Sequence, residues 1–212
     1  AVYTPSFFRG IDDLMPVINR TVGEKWLIFV SSIQRGKALQ QRIKKETGRK
    51  AVFLSSENKA GKRWEMLSAE ERYDEDVLIT TKVLDNGVNI RDEDVRHIVI
   101  PFCDRTEFMQ MLGRRRTHEG ERVCLYVEVP TIQKINTLRH GVETKRKAIN
   151  GVNGCAPNKK KALLAKMWEA GRKDINSLFY INKDGNLTSN FLAEKKLKQL
   201  SDFYGMLAAR YK

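Results

Sequence analysis

Across residues 26–129 the chain alternates short, β-branched apolar runs with helix-length amphipathic stretches, and this alternation constrains its fold more than any other feature. An uninterrupted apolar run suits a strand buried on both faces, as a parallel sheet between two layers of helices requires. Strands are expected at residues 26–30, 51–54, 77–80, 97–100 and 123–127, the last at a sheet edge. Helices are expected at about residues 11–20, 34–47, 64–73 and 104–116. The pattern reads as one α/β domain over residues 1–129: a parallel sheet flanked by helices.

After Pro130 the pattern changes. Residues 131–149, 159–170 and 190–211 read as helices, the last with Leu197, Leu200, Tyr204, Leu207 and Tyr211 on one stripe. Segments 179–182 and 186–189 flank Lys183-Asp184-Gly185, whose glycine suits a tight hairpin turn. The turn-rich stretch 150–157, NGVNGCAP, is the best linker candidate. Residues 130–212 are therefore expected to form a mainly helical extension with a β-hairpin.

Charge divides along the same boundary. Residues 1–129 hold 22 Lys+Arg against 20 Asp+Glu, whereas residues 130–212 hold 17 against 6. A basic segment beside a nearly neutral domain fits a polyanionic partner, because neutralising phosphates releases counterions; a solvated basic surface is the alternative. Cys103, Cys124 and Cys155 are odd in number and in no CxxC spacing, and His97, His118 and His140 stand apart from them, so neither a disulfide framework nor a zinc site is expected. No apolar run approaches the length of a membrane span and no signal segment opens the chain, so a cytoplasmic protein with no membrane partner is expected. The start at Ala1, without a methionine, suggests a piece of a longer polypeptide.

The segment at residues 106–116, TEFMQMLGRRR, is the richest in chemistry. An arginine cluster at a helix end suits a transferring phosphoryl group, since the guanidinium fork matches phosphate oxygens and neutralises developing charge. A solvated basic turn is the plainer alternative. Ser31 and Ser32, at a strand end before a helix, offer hydroxyls and amides to a phosphate or simply cap that helix. Lys159, Lys160 and Lys161, with Lys195 and Lys196, are candidate phosphate contacts or solvated helix faces.

Three segments together resemble superfamily 2 helicases of the DEAD/DEAH-like kind. Gln110 to Arg114 is similar to motif VI, Gln-x-x-Gly-Arg-x-x-Arg; residues 77–90, VLITTKVLDNGVNI, resemble motif V; residues 25–32, KWLIFVSS, resemble motif IV. The order and spacing are those of the second, C-terminal RecA-like domain, and the likeness spans about residues 10–129. The resemblance implies a RecA-like fold and half of an ATP site, completed by an N-terminal RecA-like domain that binds most of the ATP and magnesium. It implies that Gln110 and Arg114, or Arg116, reach the γ-phosphate, and that Gly87, Asn89 and Gly113 lie at the nucleotide. It further implies that Thr80 or Thr81 and the serines at 31 and 32 meet the backbone of DNA or RNA.

Two positions depart from the pattern. Thr117 stands where motif VI has its second arginine, which leaves the arginine finger open between Arg114 and Arg116. Asn89 stands where many members have Asp. The 212 residues contain no Gly-x-x-x-x-Gly-Lys-Ser/Thr loop, and Asp74-Glu75-Asp76 precedes a strand, so it reads as an exposed charged loop and not a magnesium box. No nucleoside triphosphatase activity is expected of this chain alone. The leading reading is a motor domain; the alternative is a non-enzymatic nucleic-acid-binding or docking module of RecA-like shape.

Overall fold

The computed structural model describes residues 1–55, 57, 61–81, 88–171 and 175–211. They form two compact units, Ala1–Val129 and Pro130–Lys212.

The first unit is built on six strands: β1 (Val2–Phe8), β2 (Lys25–Phe29), β3 (Ala51–Leu54), β4 (Val77–Thr80), β5 (Val95–Ile100) and β6 (Arg122–Glu128). Four helices accompany them: α1 (Ile11–Arg20), α2 (Ile33–Thr47), α3 (Lys62–Glu70) and α4 (Arg105–Leu112). All strand pairs are parallel and the order is β1-β6-β5-β2-β4-β3. The period of two divides the apolar residues between the faces. Leu27, Phe29, Leu78, Ile98 and Ile100 pack with Leu67 of α3 and Met111 of α4. Trp26, Ile28, Val77, Ile79 and Val99 pack with Leu14 and Ile18 of α1 and Leu39 and Ile43 of α2. The result is a RecA-like parallel sheet covered on both sides.

Chain direction explains which helix covers which face. From β1 through β2 to β3 the chain moves one way across the sheet, and from β3 through β4 and β5 to β6 it returns. With crossovers of one hand, reversing direction places the connections on opposite faces, so α1 and α2 share one side and α3 and α4 the other. The adjacent strands β2 and β5 lead to opposite faces, which splays their loops apart at the carboxyl edge of the sheet, where doubly wound folds bind ligands.

Several expectations change. Strand β1 was not anticipated: it carries Pro5 and is largely exposed, so it lacks the buried apolar run that marks the others. Because β1 pairs with β6 along its whole length, β6 is an interior strand and not the edge. Helix α4 also stops at Leu112, short of the expected 116. In the charged loop 74–76 only Asp74 is exposed; Glu75 pairs with Arg63 at 2.9 Å and Asp76 accepts the Lys50 amide at 2.8 Å.

The second unit contains α5 (Ile132–Asn153), α6 (Pro157–Glu169), α7 (Ile175–Leu178), the antiparallel pair β7 (Phe179–Ile181) and β8 (Leu187–Ser189), and α8 (Phe191–Arg210). Thr131 caps α5 and Asn190 caps α8 through their side chains. Helices α5 and α8 pack together, with Ile135, Val142, Ile149 and Val152 of one and Leu197 and Tyr204 of the other buried. Of the expected stripe, Leu200 and Leu207 are half-buried and Tyr211 is exposed. The linker assignment fails: residues 150–153 continue α5, and the turn before α6 lies within this unit. Gly185, at φ +74°, turns the hairpin. Among the described residues no helix is long and apolar enough to cross a membrane.

Near the amino ends of the strands a polar group is embedded in the core. His97 of β5 stacks on Trp26 at 4.1 Å between ring centres, its Nδ1 lies 3.1 Å from the Tyr126 hydroxyl, and its Nε2 lies 2.5 Å from Glu24 Oε2. Burial depresses the His97 pKa and outweighs the opposing Glu24 hydrogen bond. The unfolded chain therefore takes up a proton near the ordinary value of 6.5 that the folded chain resists. Stability is expected to be full well above that value and to decline as pH falls through it toward the depressed value of the folded chain. Urea unfolding across that range checks this, and H97Q should flatten the slope. A packing test is available at Gly36 of α2, where an added Cβ would sit 2.1 Å from the Phe53 ring. G36A should lower the unfolding free energy by about 1–3 kcal/mol through overpacking.

Candidate nucleotide and nucleic-acid interface

Beyond α4 the chain extends instead of coiling. Gly113 closes the helix, its amide bonded to Met109 O, and a Cβ there would lie 3.2 Å from that carbonyl. Arg115 then forms a parallel bridge with Ile90: the Ile90 amide donates to Arg114 O and the Arg116 amide to Ile90 O, both at 2.8 Å. In extended chain, side chains alternate sides. Arg115 turns inward and is 1% exposed, whereas Arg114 is half-buried and Arg116 exposed.

The buried guanidinium is fully engaged. Arg115 Nε donates to Val95 O at 3.3 Å, one Nη donates to Arg116 O, and the other pairs with the Glu121 carboxylate. Val95 sits beside a one-residue bulge in β5, opposite Lys25. The other side of the bridge is pinned as tightly. Asp92, 3% exposed, pairs with Lys25 Nζ at 2.8 Å, and Arg91 pairs with Glu71 at 2.5 Å. Lys25 Nζ also donates to Tyr73 O at 2.6 Å; burial pushes the Tyr73 phenol pKa well up, and its hydroxyl donates to Trp26 O.

This framework brings several expected residues together. Asn89 Oδ1 accepts from Arg116 Nε at 2.9 Å, and that bond fixes the plane of an exposed guanidinium. Arg114, half-buried with its Nε shut away from water, lies in the turn just before Arg115, and Gln110, exposed, sits four residues before it near the end of α4. Gly87 lies outside the described residues.

A second group lies at the carboxyl edge. β2 and β4 are neighbours, with Val30 N bonded to Thr80 O at 2.8 Å, so Ser31, Ser32 and Thr81 follow adjacent strand ends. Thr80 itself is fully buried, with its hydroxyl donated to Thr81 O, whereas Thr81 is half-buried. Ser32 caps α2, accepting the Arg35 amide at 3.2 Å, and Ser31 Oγ accepts from the Arg35 side chain at 3.4 Å. Next to them opens a cleft of about 440 Å³ with Ile28, Leu39 and Val99 among its apolar walls and Arg35 and Arg42 at its rim. Lys159, Lys160 and Lys161 belong to α6 of the second unit, apart in the chain from both groups; Lys159 and Lys161 are exposed and Lys160 is half-buried. Among the described residues, no group of three or more His, Cys, Asp or Glu is placed to hold a metal ion.

The Arg115–Glu121 pair escaped the sequence reading, although its signal was present: the middle arginine of three, two residues past a glycine, with an acid six positions on. Breaking a buried pair leaves an uncompensated charge, so R115A should cost about 3–5 kcal/mol of unfolding free energy in urea denaturation. R116A, at an exposed position, should fall within about 0.5 kcal/mol of the parent.

Residues 9–118, just over half of the chain, match the helicase conserved C-terminal domain family. Among curated proteins the sequence has no match. Solved structures that align with the chain include the C-terminal domain of the DEAD-box protein Dbp5, at 20% identity and a TM-score of 0.48 over 66% of this chain and 81% of that one. The E. coli DEAD-box protein SrmB, solved bound to regulator of ribonuclease activity A, aligns at 19% identity and a TM-score of 0.49 over 64% of this chain and 80% of that one. The C-terminal part of the Fun30 ATPase domain aligns at 18% identity and a TM-score of 0.48 over 62% of this chain and 43% of that one. On the family match over residues 9–118, the chain belongs to the helicase conserved C-terminal domain family, in agreement with the helicase resemblance read in its sequence.

Proposed function

We propose that this domain is the second half of an ATP-driven nucleic-acid motor and that Arg114 and Arg116 are its contribution to the nucleotide site. The observation that supports this most directly is the division of labour in the arginine triplet: Arg115 is consumed by the core, whereas Arg116 is exposed with Asn89 bound to it and Arg114 is half-buried. Two guanidiniums and an amide fit phosphate oxygens and do not fit a divalent cation, which takes oxygen ligands. Under this reading magnesium and the phosphate loop come from an N-terminal RecA-like domain, and ATP sits between the two domains. When bound there, the nucleotide supplies phosphoryl transfer to water. Arg114 and Arg116 neutralise charge developing on the transferring group, Gln110 orients the reacting groups from the end of α4, and Gly113 lets the backbone approach closely.

The nucleic-acid track is proposed along the carboxyl edge, where Ser31, Ser32 and Thr81 meet backbone phosphates of DNA or RNA. Lys159, Lys160 and Lys161 add electrostatic contacts from the second unit.

The test supplies a first RecA-like domain carrying a phosphate loop and measures ATP turnover with and without a single strand. R114A and R116A should each lower the stimulated rate by about 10²–10³-fold, the loss typical of a removed transition-state donor, while unfolding free energy changes little for R116A. Parent-like turnover in both variants would overturn the motor reading and favour a non-enzymatic nucleic-acid-binding module.

A further inference from the structure

Helices α5 and α8 enclose a furrow of about 440 Å³ in the second unit. Its composition follows from helical spacing. Phe191, Lys195 and Lys198 lie at i, i+4 and i+7 on α8, so they form one stripe; Arg146 and Asn150 lie at i and i+4 on α5 and face it, with Ile149 as a buried floor. Glu194 is the one acid among the lining residues, and its carboxylate lies 3.4 Å from the Asn153 amide. Arg146 is held by Glu143 at 3.1 Å and the Ser201 hydroxyl at 3.2 Å, which fixes its direction.

Phe191 is the aromatic ring in this lining, and like Leu192 beside it and Trp168 and Ile181 in the same unit it is exposed. It is 71% exposed, yet it opens a helix whose start is fixed by Asn190, which accepts the amides of Leu192 and Ala193. A large ring held mostly in water beside cations adds little to the apolar core. It suits a ligand with both a π-face and negative charge.

We propose that this furrow binds a single strand of nucleic acid, with one base stacked on Phe191 and its phosphates met by Arg146, Lys195 and Lys198. Charge complementarity favours a polyanion, since this unit carries 17 basic residues against 6 acidic ones. The exposed ring selects nucleic acid over an acidic protein surface, because every base offers a face for stacking. It also selects single strands over duplexes, whose base faces are already stacked internally. The inference does not depend on the roles given to Arg114 and Arg116, and it places a second contact for the strand outside the residues that match the family.

The experiment measures fluorescence anisotropy of labelled oligo-dT, oligo-U and a duplex, each of about twelve nucleotides, with the whole 212-residue chain over a range of salt. F191A should weaken single-strand binding roughly five- to hundred-fold, the range for loss of one base–aromatic stack. K195A and K198A should each reduce the slope of log affinity against log salt by about 0.7. F191W should retain binding and gain an emission component that the oligonucleotide quenches. The same F191A loss in a background of S31A and T81A separates this site from the track proposed on the first unit. A difference between oligo-dT and oligo-U names the preferred polymer, and tight binding of either supports the site. Parent affinity in F191A, an F191W emission indifferent to the strand, or a duplex bound as tightly as a single strand would each overturn it.

Discussion

A guanidinium shut away from water must find all its partners inside the protein, and the local architecture around the arginine triplet depends on that requirement at Arg115. The desolvation of such an ion costs several kcal/mol, recovered only when geometry and hydrogen bonding are both good. Glu121, Val95 O and Arg116 O meet that condition. Because two of the three acceptors are backbone carbonyls, satisfying the side chain also fixes the path of the main chain after α4. The bridge to Ile90 follows, and with it the placement of Asn89 against Arg116. Segments far apart in sequence are thereby held at one spot without any regular strand to join them.

This explains why the site was legible only in part. The order of the three motifs and the residue types within them stood out in the sequence, and the family match covers the same region. Which arginine faces inward did not, because that depends on a tertiary contact with Glu121. Local preference pointed the other way: arginine is a good helix former, so a helix continuing to 116 was the natural reading. Gly113 gave little warning, since it ends α4 in the right-handed region and not with the positive φ that usually announces a stop. Thr80 and Thr81 raise the same difficulty, since two identical neighbours at a strand end differ only in which face of the sheet they meet.

The fold was read more easily, for a reason rooted in solvent exposure. Strands β2 to β5 lie inside two helical layers, so both their faces are apolar and their sequences show it. The helices of both units follow from apolar periodicity and from side-chain caps such as Ser32, Thr131 and Asn190. Strand β1 has only β6 beside it and little cover, so nothing in its composition separates it from a loop; what identifies it is a continuous parallel register from Val2 to Phe8.

That same strand carries a safeguard. The Val2 amide donates to Glu121 O and Phe8 O accepts the Val129 amide, so the even-numbered residues of β1 direct their backbone groups toward β6. In a parallel ladder the odd-numbered residues then point away, and Pro5 is one of them. Its missing N–H costs the sheet no bond, yet it leaves a gap in the row of donors that an approaching strand would need. The proline that hides β1 from sequence reading is thus a built-in guard against growth of the sheet by addition of another chain.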